Sequence, residues 1–86
     1  MKHAGPLALD RLESLLLQVR TIPGLKEKRR GVFYCRSRAC LHFHEHGSGL
    51  WADLRNPAES EFTRLSADGI AAQAAILARL RAISAV

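Results

Sequence analysis

The stretch CLHFHEH, residues 40 to 46, holds the side chains of this sequence that are best suited to chemistry. His42, His44 and His46 are spaced two residues apart, and Cys40 opens the stretch. Residues two apart on a strand point to the same face of a sheet, so the imidazoles of His42 and His44 should lie side by side. Such a pair can bind a metal ion, act as a base beside a thiol, or form the polar face of an ordinary strand.

The bulk composition limits what kind of protein this is. The chain has 86 residues, which suits one domain, predicted over 1–86. No apolar run approaches the ~20 residues that a membrane-spanning helix needs, so we expect no membrane partner. Asp10 and Arg11 follow the N-terminus too soon for a secretory signal. We therefore expect a cytoplasmic protein whose two cysteines are reduced.

The charge balance favours negatively charged partners. The formal net charge is +5, and such an excess promotes association with polyanions. Part of it is concentrated in KEKRR, which we interpret as a loop. That loop is either simply solvated or a phosphate-binding loop formed by Lys26, Lys28, Arg29 and Arg30.

The elements that must position these residues are two helices around a group of strands. Apolar residues at spacings of three and four predict each helix, with Ser66 as the N-cap of the second. Alternating and β-branched segments between them predict antiparallel strands joined by tight turns. The predicted class is a two-layer α+β fold, ordered helix, β-meander of three to four strands, helix, with both helices on one sheet face. The predicted helices cover about 7–21 and 67–84, and the strands about 31–36, 39–45, 50–55 and a possible short 61–65.

Pairing of the strands decides which side chains share a face. A two-residue loop at Gly47-Ser48 places His44 opposite Trp51 and His42 opposite Asp53. A loop at Ser37-Arg38 would place Cys35 opposite Cys40 and Phe33 opposite His42, with Val32 and Tyr34 beneath the helices. The predicted uncovered face therefore carries Cys35 and Cys40 together with Phe33, His42, His44, Trp51, Asp53 and Arg55.

This predicted face is the basis of the functional interpretation. A monomer rarely exposes so much apolar surface without a partner. We therefore expect a non-enzymatic binding or interaction module, with self-association into a homodimer as one form of it. The predicted binding residues are Phe33, His42, His44, Trp51, Asp53 and Arg55. An alternative is nucleic-acid binding, with Phe33 and Trp51 as stacking platforms beside the basic loop.

Three chemical alternatives use the same side chains. His42, His44 and Asp53 are candidate metal ligands, with Cys40 as a fourth, but an HxH pair alone does not define a site, and we predict neither a metal nor another cofactor. Cys35 and Cys40 are either reduced thiols or a reversible disulfide. A thiol beside His42 and Asp53 has the residue types of a nucleophile, a base and an orienting group. A flat sheet offers no evident oxyanion hole, so we expect no enzyme.

The segment from Leu15 to Leu54 resembles the opening of the YjbR-like (MmcQ) bacterial proteins. Pro23-Gly24 matches a turn after the family's first helix, and Val32 to Phe43 matches its hairpin. The resemblance covers less than half of the chain. It implies a small α+β fold and a DNA-binding role.

Overall fold

The computed structural model describes residues 1–84, in which three helices accompany an antiparallel sheet of six strands. The α+β class is as predicted, but the sheet has more strands and the fold more helices than the sequence indicated. The predicted domain 1–86 ends in residues 85 and 86, which lie outside the described residues. The elements in chain order are β1 (Lys2–His3), α1 (Pro6–Arg11), α2 (Glu13–Val19), β2 (Lys26–Arg29), β3 (Val32–Cys35), β4 (Arg38–His46), β5 (Gly49–Leu54), β6 (Thr63–Ser66) and α3 (Ile70–Ser84).

The first predicted helix is divided into α1 and α2 by a break at Leu12. The backbone there leaves helical geometry, with φ −98° and ψ 0°. The predicted apolar stripe is nevertheless buried, since Leu12, Leu15, Leu16 and Val19 have no exposed surface. Packing of that stripe therefore continues across the break.

The second predicted helix, α3, begins later than expected. Ser66 ends β6 instead of capping the helix, and its hydroxyl accepts a hydrogen bond from Asp68 N at 3.1 Å. Gly69, with φ +90°, then turns the chain before Ile70. Within residues 1–84, no helix has the length and apolar character that crossing a membrane requires.

The sheet has the order β2-β3-β4-β5-β6, and β1 pairs with β4. The predicted basic loop is in fact strand β2, which pairs with β3. Two strands share one edge of β4: β3 pairs with its first half and β1 with its second half. The fourth predicted strand exists as β6, which pairs with β5 and ends one residue later than expected.

The register of β4 and β5 is the predicted one. His44 lies opposite Trp51 and His42 opposite Asp53. Gly47, with φ +59°, lies in the turn between the strands and takes the left-handed conformation that a tight hairpin requires.

The predicted register of β3 and β4 is wrong. The turn is formed by Arg36 and Ser37, both with positive φ, one residue earlier than expected. A register shift between β3 and β4 then leaves Cys40 unpaired, so that Phe33 lies opposite Leu41. Phe33 consequently faces the core, at 1% exposure, and is not on the uncovered face. Alternation along β3 puts Val32 and Tyr34, expected beneath the helices, on the opposite side.

The helices cover one face of the sheet and form a single hydrophobic core with it. The sheet contributes alternate residues of its central strands to that core, and the helices contribute their apolar stripes. The sheet side of the core consists of Phe33, Cys35, Leu41, Phe43, Leu50, Ala52 and Leu54.

Candidate functional site

The opposite side of the sheet, which we call the open face, carries a mixed set of histidine, aromatic and charged residues. Opposed residues of neighbouring strands share a face. The pairs His3–His44, His44–Trp51, His42–Asp53 and Asp53–Arg64 therefore form two adjacent rows. Phe62, two residues before Arg64, lies above His42, with ring centroids 4.6 Å apart. The open face includes His3, His42, His44, Trp51, Asp53, Phe62 and Arg64, and Tyr34 with Lys26 towards the β2 edge.

Three histidines converge at one corner of this face. His42 and His44 are neighbours on β4, and β1 brings His3 opposite His44. The ring of His44 lies 4.7 Å from that of His3, nearly parallel to it, and 4.9 Å from that of His42. The nitrogen atoms that the three rings offer as ligands all lie within 4.8 Å of one another. We call His3, His42 and His44 the histidine cluster.

Several of these ring nitrogens are buried without a hydrogen-bond partner. They are His42 Nδ1 and both nitrogens of His44. His44 is only 8% exposed, whereas His3 is exposed and provides access to the cluster. A buried polar atom that lacks a partner costs about 1–3 kcal/mol. The cluster therefore contains ring nitrogens for which the protein supplies no hydrogen-bond partner.

A carboxylate supports the cluster from one side. His44 Nε2 lies 3.0 Å from Asp53 Oδ2, at ion-pair distance, although it forms no hydrogen bond. Arg64 holds Asp53 through two hydrogen bonds of 2.8 and 2.9 Å. These bonds to the guanidinium lower the pKa of the Asp53 carboxyl, which remains ionised beside the histidines. Asp53, a predicted ligand, is thus an ionised carboxylate in direct contact with His44.

The surroundings of His42 favour its neutral form. Burial lowers the pKa of the His42 imidazole, and His44 and His3 act in the same direction, while Asp53 opposes them. Only a neutral imidazole can offer a lone pair to a metal ion. Partial burial therefore favours the form of this side chain that can act as a ligand.

The other predicted binding residues have different environments. Trp51 is half-buried beside His44, as its register predicts. Arg55 is tied down within the protein, because its guanidinium donates hydrogen bonds of 3.1 and 2.8 Å to Ala39 O and lies 4.2 Å above the Phe62 ring. Phe33 is in the core and cannot meet a ligand on this face.

The four basic residues of the predicted loop do not act as one group. Arg30 pairs at 2.9 Å with both Asp10 and Glu13, so the helices already neutralise it. Lys28 Nζ lies 5.4 Å from the centre of the Tyr34 ring. Lys26 and Arg29 are exposed. Lys26, Lys28 and Arg29 lie along strand β2 and Arg30 follows it, so these residues form an edge strand and not the predicted loop.

The two cysteines are buried in the core. Cys35 and Cys40 are both free thiols, and Cys40 Sγ lies 3.5 Å from Phe33 O. Burial is the main reason that the pKa of the Cys40 thiol rises to about 12. A thiol with such a pKa stays protonated near neutral pH and is a poor nucleophile.

Three residues of the open face, His3, Phe62 and Arg64, were not anticipated from the sequence. His3 belongs to a two-residue strand, too short to show any periodicity. Phe62 lies just before β6, two residues from Arg64. An extension of the alternation in EFTRL would have placed Phe62 and Arg64 on one face, whereas nothing in MKHAG marks His3 as a partner of β4.

Comparisons with known proteins found no match. No family model, no curated protein and no solved structure is similar to this chain at the level required for a match. The similarity to the YjbR-like proteins thus remains an expectation from the sequence.

Proposed function

We propose that this domain is a small binding module that works through its open face, and that its ligand is a zinc-class metal ion. His3, His42 and His44 would hold the ion. The observation that carries the proposal is the convergence of three imidazoles whose ligand nitrogens lie within 4.8 Å of one another. An HxH pair on one strand, completed by a histidine of the adjacent strand, gives three donors on one side of a sheet.

The spacing is compatible with coordination after small side-chain rotations. Zinc–nitrogen bonds of about 2.0–2.1 Å place tetrahedral ligands about 3.4 Å apart. The cluster starts within 4.8 Å, so each nitrogen has to move by roughly an ångström. A bound ion would also satisfy nitrogens that are now buried without a partner, which favours binding.

The residues around the cluster resemble the usual support of a metal site. A histidine ligand generally has its second ring nitrogen next to a carboxylate or a carbonyl oxygen. Asp53 has this position relative to His44 Nε2. Arg64 in turn fixes the carboxylate. Imidazole donors suit zinc, copper and nickel better than magnesium or calcium.

The decisive experiment is calorimetric titration of the tag-free, metal-free protein with Zn²⁺. We expect one ion per chain. His3→Ala, His42→Ala and His44→Ala should each weaken binding by about 100-fold or more, since even the loss of a supporting residue costs 10–100-fold. His46→Ala is the matched control, because His46 is an exposed histidine of the same strand outside the cluster. Equal affinity for all four variants, or no uptake by the wild type, would refute the proposal.

Nucleic-acid binding along the same face is a second candidate. The observation in its favour is Lys28, whose Nζ lies over the Tyr34 ring, with Lys26 paired to the same tyrosine. An aromatic ring beside exposed cations is the usual combination for stacking a base next to its phosphate. Titration of single-stranded DNA at two salt concentrations tests it. Lys26→Ala and Lys28→Ala should weaken binding and reduce its salt dependence, and unchanged binding would exclude this surface.

A further inference from the structure

A slot opens beside the histidine cluster, at the edge of β4 where two strands share one partner. β3 leaves this edge after the pair Phe33–Leu41, and β1 joins it where Ala4 N bonds to Phe43 O at 3.0 Å. The gap between the two strands has a volume of about 490 Å³. Its lining consists of His3, Ala4, Leu9, Val32 and Phe43, with Arg29, Arg30 and Gly31.

The slot has apolar walls and a cationic rim. Ala4, Leu9, Val32 and Phe43 supply the walls. The two arginines of the rim differ in their ion pairing. Arg30 forms ion pairs with Asp10 and Glu13. Arg29 is exposed and forms no ion pair within residues 1–84. One cation of the rim is thus available to an anionic ligand.

The wall formed by Leu9 lies close against the turn between β2 and β3. Gly31 has φ +82°, and a Cβ atom added there would lie only 2.7 Å from Leu9 Cδ2. The glycine therefore allows the turn between β2 and β3 to close against α1. Gly31 N also donates a 3.0 Å hydrogen bond to Glu27 Oε2. These contacts shape the slot before any ligand arrives.

His3 lines the slot and is also a member of the histidine cluster, so the two sites are adjacent. Three imidazole ligands leave one position of a tetrahedral ion open, as in catalytic zinc sites. Because His3 and Arg29 both line the slot, a molecule in it would lie against a metal ligand and beside an exposed cation.

We infer that the slot binds a small carboxylate with an apolar tail, whose carboxylate completes the coordination of the metal ion and pairs with Arg29. The tail would lie between Leu9, Val32 and Phe43. This inference rests on the proposed metal-binding function. It goes further by naming the ligand class that the bound ion would select.

Cobalt-loaded protein tests the inference, because the visible absorption of Co²⁺ reports both its binding and any change of its fourth ligand. The loaded protein is titrated with butyrate, acetate and butyramide. Butyrate should change the spectrum saturably and bind about tenfold more tightly than acetate, because its two extra methylenes would be buried. Butyramide should leave the spectrum unchanged, since it has no anionic oxygen to offer.

Two variants separate the rim cation from general charge attraction. Arg29→Ala should weaken butyrate binding about fourfold, a modest effect because Arg29 is exposed. Lys28→Ala removes the same charge from the same strand outside the slot, and should leave the affinity unchanged.

The outcomes distinguish the two proposals. Failure of Co²⁺ to bind would overturn both of them. Binding of Co²⁺ without a response to butyrate, or with equal responses to butyrate and acetate, would overturn the slot alone and leave the metal site standing. Equal losses of butyrate affinity in Arg29→Ala and Lys28→Ala would also overturn the slot, because Arg29 would then contribute no more than any other nearby positive charge.

Discussion

The two faces of strands β4 and β5 both contain buried residues, but they are buried by different means. On the covered face, Leu41 and Ala52 have no exposed surface and are packed against the helices. On the open face, His44 and Asp53 are 8% and 5% exposed, although no helix covers them. A buried apolar side chain needs no hydrogen-bond partner, whereas each buried polar atom does. Where hydrogen-bond partners are missing, at the histidine cluster, the proposed metal ion would take their place.

The covered face should show the largest effect on stability. Leu41→Ala removes a fully buried side chain next to His42 in sequence. The cavity it leaves should lower the free energy of unfolding by about 2–5 kcal/mol, measured by urea denaturation. A loss below about 1 kcal/mol would mean that the core under β4 is loosely packed.

The open face should respond to metal where the covered face does not. At a free Zn²⁺ concentration of 100 times its dissociation constant, the wild type should gain about 2.7 kcal/mol of stability. His42→Ala should gain almost none, and its metal-free stability should stay within about 1 kcal/mol of the wild type, because the removed nitrogen had no partner. Thermal denaturation with and without Zn²⁺ measures both quantities. An equal zinc gain in wild type and variant would place the ion elsewhere.

Asp53 is a third case, because it is a buried charge whose hydrogen-bond partner, Arg64, is present. Asp53→Ala removes the acceptor of both Arg64 bonds. It should destabilise the metal-free protein by about 1–2 kcal/mol, since Arg64 is half-exposed and can hydrate instead. The variant should also bind Zn²⁺ about 10–100-fold more weakly. Urea denaturation and calorimetry give the two values, and unchanged zinc affinity would separate Asp53 from the site.

The smallest effect is expected at the exposed charges on the helix side. Hydrogen bonds from Arg30 and Arg20 lower the pKa of Glu13, and those from Arg20 lower that of Glu27, below the ordinary value of 4.5. A lowered carboxyl pKa stabilises the fold above about pH 5, and this stabilisation is lost as the pH falls through the folded-state pKa. Glu13→Gln should thus lower the urea midpoint slightly at pH 7 and by a smaller amount at pH 3. A difference as large at pH 3 as at pH 7 would have another origin.

The two hairpins show how far the sequence could predict this fold. The β4–β5 register was predictable because Gly47 suits a tight turn and because alternation separates apolar from polar residues on both strands. The β3–β4 register was not, because Arg36 and Ser37 adopt positive φ without a glycine to signal it. The unpaired Cys40 then shifted the pairing again. Local pattern fixes a register only where turn chemistry and burial agree.

The candidate site was predictable in part for the same reason. His42, His44, Trp51 and Asp53 follow from the alternation of β4 and β5. The position of His3 could not be predicted. A strand of two residues is too short to show an alternating pattern, and its partner strand β4 lies far along the chain. The interpretation of KEKRR as a loop failed because charged residues form strand β2 at the sheet edge, where their side chains remain hydrated.

The attachment of β1 has a consequence for the order in which the molecule opens. Gly5 N bonds to Glu45 Oε2 across 40 residues of sequence, and two residue pairs hold the strand itself. So short a strand should be among the first parts to detach, and its amides should exchange rapidly with solvent. An ion bound by His3 and by β4 would act as a cross-link that closes this long loop. The amide protons of Lys2 to Gly5 would then change from the fastest-exchanging in the sheet to some of the slowest.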